Sequence, residues 1–136
     1  MAKIENDKTK EILEGLKENS KKALKAVGMQ AVTDVISKGD FPVDTGLLRN
    51  SITFAVSGEA PAINSYSANK GHEHGEYHGT APDDKEPVVY IGTNVEYAKY
   101  VQFGTSKMRA RDFLMTPLRA NLAHYKEILT KYLKQD

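Results

Sequence analysis

Three groups of residues in this chain have types and spacings that could do chemistry. The first is Asp44-Thr45-Gly46, the tripeptide with which aspartic proteases present a catalytic carboxylate. That reaction needs two carboxylates sharing one proton, so that one acts as base and the other as acid. A chain with a single copy would supply both by dimerising, and Tyr90-Ile91-Gly92 imitates the hydrophobic-Gly element of such enzymes. The competing role is structural: Asp44 or Thr45 caps a helical turn running through Arg49. The second group is His72, His74 and His78, with Glu73 and Glu76 between them. On a helix His74 and His78 would share a face and could hold zinc. Gly71, Gly75 and Gly79 oppose a helix, so a solvated loop without a metal is expected. The third group is Lys107, Arg109 and Arg111, alternating with period two. On a strand they would share one face, fit to touch phosphates or an acidic neighbour, or to keep a sheet edge soluble. Tyr97, Tyr100 and Phe103 fall at helical spacing, which suits core or interface better than base stacking. Cysteine is absent, which excludes disulfides, thiolate zinc and a cysteine nucleophile. There is no glycine-rich phosphate loop, and no cofactor is implied.

These residues need elements to position them. From about residue 5 to 38, Leu13, Leu16, Ser20, Leu24, Val27, Ala31 and Val35 recur at steps of three and four, which predicts one long helix. Such a helix spans ~50 Å, more than the ~30 Å width of a small domain, so part of it should project or pack on a neighbour. Gly39 and Pro42 end it. Ile52, Phe54 and Val56 alternate with Thr53, Ala55 and Ser57, a half-buried strand over 51–57, and 87–92 reads as its antiparallel partner. Between them, 59–86 is polar, without apolar period, and is expected to be a flexible connection. Asn94 is the expected cap of a short helix over 95–102, and 106–114 is a further strand or hairpin. Thr116-Pro117 opens a last helix with Leu118, Leu122, Tyr125, Leu129 and Tyr132 on one face; His124 lies off that face. The expected fold is α+β, a single domain over 1–136: a long N-terminal helix, a small antiparallel sheet with a long inter-strand loop, a short central helix, and a C-terminal helix packed on one sheet face.

Composition is that of an ordinary folded protein, 40% hydrophobic and 27% charged, with no signal-like start or membrane-length apolar run; it suits a soluble, intracellular protein. The net charge of +1 hides a gradient. Residues 59–86 hold six acids against two bases, and 95–136 hold eight bases against four acids. An acidic middle and a basic end could attract copies of the same chain, or one face could touch DNA. A sheet of two or three strands is marginal alone, and its edges invite another copy.

Two segments together resemble a known family. Pro42-x-Asp44-Thr45-Gly46-x-Leu48-Arg49-x-Ser51-Ile52 comes first, then Tyr97-Ala98-x-Tyr100-Val101-x-Phe103-Gly104-Thr105, with Phe113-Leu114 following. Over about residues 40–120 this is similar to the tail-completion or head–tail joining proteins, minor tail or neck components, of long-tailed double-stranded-DNA phages and prophages. Gln102 stands where that family usually has Glu, and Asp112 where it usually has Pro. The resemblance implies a non-catalytic structural protein, present in the virion neck or tail after assembly in the bacterial cytoplasm. It implies a ring, of six subunits by analogy, that meets the phage connector and tail-tube proteins, with DNA only as passing cargo and no membrane. Asp44, Thr45, Gly46, Leu48, Arg49, Phe103, Gly104 and Thr105 would be its structural framework. Tyr97, Tyr100, Val101, Lys107, Arg109, Arg111 and Phe113 are the interface candidates. Two alternatives remain from the residues themselves, a dimeric aspartic protease and a small DNA-binding module.

Overall fold

The structure, a computed structural model, describes residues 7–42, 46–83 and 87–134, with side chains from residue 18 onward. Asp44 and Thr45 lie outside these residues, and so does their expected capping role. The elements run α1 (Asp7–Lys38), α2 (Leu47–Ser51), β1 (Thr53–Val56), β2 (Ser65–Ser67), β3 (His74–Glu76), β4 (Val89–Gly92), α3 (Ala98–Phe103), α4 (Met115–Ala120) and α5 (Leu122–Leu133). The fold is α+β.

Helix α1 buries Ala23, Val27, Ala31 and Val35, a stripe at steps of four. The expected stripe passed through Ser20 and Leu24, which are only half-buried. Small and β-branched side chains let the partner elements approach the helix closely. Gly28 takes this furthest: a Cβ there would overlap the Phe54 ring. Its glycine is required by a strand crossing, and is more than a tolerated weakness in the helix. Gly39 is similar, since a Cβ would lie 2.5 Å from the Phe113 carbonyl oxygen. Its backbone is not left-handed, so close packing rather than a left-handed cap selects glycine at the helix end.

β1 and β4 pair antiparallel, with Thr53 opposite Gly92, Phe54 opposite Ile91, Ala55 opposite Tyr90 and Val56 opposite Val89. Strand alternation places Phe54, Val56, Val89 and Ile91 on the face that α1 and α5 cover. There Val89, Ile91, Leu118, Ile128 and Leu129 pack on Val27, Ala31 and Tyr125. A second cluster joins Val35 of α1 to Leu47, Leu48, Ile52, Val95, Ala98, Val101 and Phe113, with Phe41 stacked on Phe113 at 5.2 Å.

Four local expectations are corrected. First, within 59–83 the connection carries two short strands, β2 and β3, in an antiparallel hairpin with Tyr66 over Gly75. Tyr66 and Ala68 pack against the core, and hydrogen bonds tie down the chain on either side. Ala62 N–H donates to Phe54 O at 2.9 Å, Tyr77 N–H to Asn64 O at 2.8 Å, and Ala81 N–H to Glu59 O at 2.8 Å. Second, Thr93, not Asn94, serves the turn before α3: its Oγ1 accepts from Val95 N–H at 3.0 Å. Asn94 is turned to the hairpin, donating to Glu76 O and accepting from the Tyr66 hydroxyl. Third, 106–114 contains only one bridge, Thr105 to Met108, and no strand. Lys107 and Arg109 are exposed, while Arg111 turns inward to donate to Phe41 O at 3.3 Å and to face Asp40 at 3.8 Å. The three bases therefore share no face. Fourth, Asp112 rather than Thr116 opens the closing helix, and Asn121 divides that helix into α4 and α5. The break turns Leu122 outward, 52% exposed, whereas Tyr125 is buried.

Candidate functional site

The two segments that carried the resemblance are far apart in sequence and meet in space. Pro42 and residues 46–49 form one wall of an apolar pocket of about 250 Å³; Tyr97, Tyr100, Val101 and Met108 form the other.

On the first wall Gly46 precedes α2 at φ 84°, a backbone conformation that side chains with a Cβ adopt only at a cost. A Cβ would also sit 2.6 Å from Asn69 Nδ2, so the glycine lets the hairpin close against α2. Leu47 and Leu48 are buried below. Arg49 Nε donates to Ile36 O at 3.1 Å, satisfying a carbonyl in the last turn of α1, where a cation is also favoured by the helix dipole. Ser51 Oγ donates to Leu48 O and shares a 2.6 Å hydrogen bond with Thr93 Oγ1.

On the second wall Gly104 ends α3 at φ 77°. A Cβ there would lie 2.7 Å from Ala110 N and 2.9 Å from Met108 O, so the glycine admits the returning chain. Thr105 closes that return: its N–H donates to Met108 O at 2.8 Å, and its Oγ1 accepts from Lys107 N–H at 3.2 Å. The chain then comes back under α3, with Arg111 N–H donating to Val101 O at 2.7 Å.

The two departures from the family pattern touch each other. Gln102 Nε2 donates to Asp112 Oδ1 at 2.8 Å, and Gln102 Oε1 accepts from Leu114 N–H at 3.2 Å. Asp112 Oδ1 also accepts from Met115 N–H and Thr116 N–H, and its Oδ2 accepts from the Thr116 hydroxyl at 2.7 Å. Partial burial alone would raise the Asp112 pKa, but the donors from Gln102, Thr116 and Met115 outweigh it and hold the value at about 2. A glutamate at 102 would place a second carboxylate where an amide donor is needed.

Among the sequence-derived site residues, Gly46, Leu48, Arg49, Tyr97, Tyr100 and Val101 converge on the pocket, Gly104 and Thr105 hold the turn that brings Met108 to it, and Phe103 lies outside it. Val101 and Phe113, two of the interface candidates, are buried in the chain, Phe113 at 2% exposure, beneath the exposed side chains of α3. Tyr97, Tyr100 and Met108 form its outer apolar face, while Phe103, 77% exposed, lies at the end of α3 beside Lys99 and Gln102, over a separate hollow lined by Phe113 and Leu114. The Lys99 ammonium stands 5.1 Å from the centre of the Tyr100 ring. His72, His74 and His78 do not join this surface. His78 faces Glu76 at 3.4 Å, and no group of three potential metal ligands gathers among the described residues. The long-range pair Asp34–Tyr125 escaped sequence reasoning. Tyr125 donates to Asp34 Oδ2 at 2.7 Å, and Gln30 donates to Oδ1 at 3.0 Å. Burial, with the Asp34 carboxylate accepting its proton, pushes the Tyr125 phenol far above its ordinary range. The available signal was an acid lying in register with the apolar stripe.

The assembled surface offers aromatic and aliphatic side chains, an arginine engaged with a helix end, and glycines that shape backbone. No helix among the described residues is long and apolar enough to cross a membrane. No curated protein and no solved structure matches the chain. The HK97-gp10-like family, described as "Bacteriophage HK97-gp10, putative tail-component", matches residues 2–104. The match takes in α1 and both walls of the pocket as far as Gly104, and stops short of Phe113-Leu114. With about three quarters of its length matched, the chain belongs to the HK97-gp10-like family of bacteriophage tail components, structural proteins of the virion tail.

Proposed function

We propose that the chain is a non-catalytic adaptor of the head–tail junction, which assembles as a ring in the host cytoplasm and completes the tail at the neck. The observation that carries this reading is the convergence of residues 42–49 and 97–101 on one apolar pocket, with Tyr97, Tyr100 and Met108 exposed at its mouth. Exposed aromatic and aliphatic side chains gathered in this way suit an interaction site. α1 supports it further. Its register with α5 is antiparallel, from Asp34 beside Tyr125 to Ala26 and Met29 near Tyr132. Beyond the end of α5, near the level of Ala26, α1 continues ~28 Å to Asp7. A helix that outruns its own domain is suited to contact a neighbour.

In this reading six copies close around a lumen through which DNA passes, between the connector above and the tail tube below. The test is light scattering over a concentration series, alone and with the phage connector and tail-tube proteins. Closed oligomers, formed freely or on either partner, are expected. A strict monomer that ignores both partners overturns the reading. Pepstatin-sensitive peptide cleavage that is lost on Asp44→Ala would overturn its non-catalytic part and restore the protease alternative.

A further inference from the structure

The α3 surface has a counterpart elsewhere on the same chain. On the β1–β4 sheet, alternation points Tyr90 away from α1, and Val88 with it; these β4-side residues are 39% and 38% exposed, while Thr53 and Ala55 of β1 on the same face are buried. Residues 59–83 run along the outer side of β1. Ala62 N–H donates to Phe54 O, Gly58 N–H to Ala81 O, and the Tyr77 hydroxyl to Ser51 O. This track carries Glu73, Glu76 and Asp83, all exposed. The chain thus has two unlike docking faces. One is apolar with a basic rim: Tyr100, Phe103 and Met108 with Lys99, Lys107 and Arg109. The other is the exposed β4 side of the sheet, Val88 and Tyr90, flanked by the acidic 73–83 track, with Asp83 beside Gly58 at the Val88 end and Glu76 beside Asn94 at the other.

We propose that in the assembled protein the α3 face of one copy seats on the open sheet face of the next, so that the basic 99–109 rim meets the acidic 73–83 rim. This rests on the adaptor reading and names the surfaces that its subunits use. Charge decides the pairing. Two α3 faces brought together would oppose Lys99, Lys107 and Arg109 with their own copies, and two sheet faces would oppose acids with acids. Only the unlike pairing neutralises both sets. It also covers Phe103, whose exposed ring is the largest apolar group left uncovered on the α3 face. A contact between unlike faces is heterologous, and repeated by rotation it closes into a ring or runs on as a filament. The surface ion pairs contribute orientation and the aromatic contacts most of the affinity.

The test uses two full-length charge-reversal variants, Lys107→Glu/Arg109→Glu and Glu73→Lys/Glu76→Lys, with circular dichroism and thermal melts to verify folding. Each variant alone carries like charge on both faces, and its self-association should weaken at least ~tenfold relative to the unaltered chain. An equimolar mixture presents opposite charges at every contact and should recover association as an alternating assembly. Association of the unaltered chain should fall between ~0.05 and ~0.5 M salt. Phe103→Ser should weaken it at both salt concentrations. Variants that associate like the unaltered chain, or a mixture of folded variants that does not recover, overturn the pairing. If the unaltered chain nevertheless joins the connector or tail-tube protein, the adaptor reading stands and only the surfaces are wrong. An unaltered chain that stays monomeric and joins neither overturns both.

Discussion

At the level of single residues, the protein is organised by polar side chains that each satisfy several backbone groups. Asp112 accepts from two backbone N–H groups at the start of α4, from the Thr116 hydroxyl and from Gln102. Its depressed pKa gives a pH dependence with a definite sign. Because the folded value, about 2, lies below the ordinary aspartate value of 3.8, the carboxylate contributes stability that is fully present above the unfolded value and is lost as pH falls through 2. Denaturant midpoints measured from pH 5 to 2 should therefore decline, and Asp112→Asn should remove that part of the decline. Asp112→Ala should cost ~1 kcal/mol near neutral pH, the usual magnitude of a lost helix cap. Tyr125 is the buried counterpart. Tyr125→Phe leaves the Asp34 carboxylate without one of its donors, and a loss of ~1–3 kcal/mol in urea unfolding is expected. An unchanged midpoint would show that Gln30 alone suffices.

Among elements, the close approach of β1 to α1 depends on Gly28. Gly28→Val forces a side chain into the Phe54 ring and should destabilise by ~1–3 kcal/mol, the range for overpacked cores, despite removing a glycine from a helix. A neutral or stabilising result would mean that the Phe54 ring moves aside freely. The β2–β3 hairpin shows a different kind of construction. Its strands have three residues each, and Asn50 holds it from α2 by donating to Ser67 O and Asn69 Oδ1 at 2.9 Å. Limited proteolysis should cut 59–83 before α1 or α5, because few apolar contacts support that segment. The first cuts should fall at the exposed 69–73 turn, where Gly71 takes a left-handed conformation. Early cleavage within 18–36 would reverse this assignment of rigid and mobile parts.

For the molecule as a whole, a sheet of two strands is covered by helices on one face and keeps Tyr90 and Val88 exposed on the other. Such a sheet is marginal by itself, and its stability is drawn from α1 and α5. Assembly should therefore add to stability by mass action. The melting temperature is expected to rise with protein concentration, and further when the connector or tail-tube protein is added. A concentration-independent melt in the range where scattering reports oligomers would separate assembly from folding.

The amino-acid sequence determined the features that depend on local periodicity and backbone chemistry. α1, the β1–β4 pairing and the α3 segment were legible because helix and strand repeats and glycine-proline punctuation are local signals. The family was legible too, since Gly46 and Gly104 occupy backbone conformations that the motifs must preserve. Tertiary structure decided what depends on meetings between distant segments. The β2–β3 hairpin was invisible because its order comes from hydrogen bonds to Asn50 and Asn94 and from Tyr66 and Ala68 packing on the distant core, which leave no run of apolar period. Lys107, Arg109 and Arg111 looked equivalent by spacing, yet Arg111 is drawn inward because Gly104 turns the chain back beneath α3. Phe113 and Phe103 are both aromatic residues near α3. The fold buries one against Phe41 and leaves the other in solvent, and only their position in three dimensions separates core from docking surface.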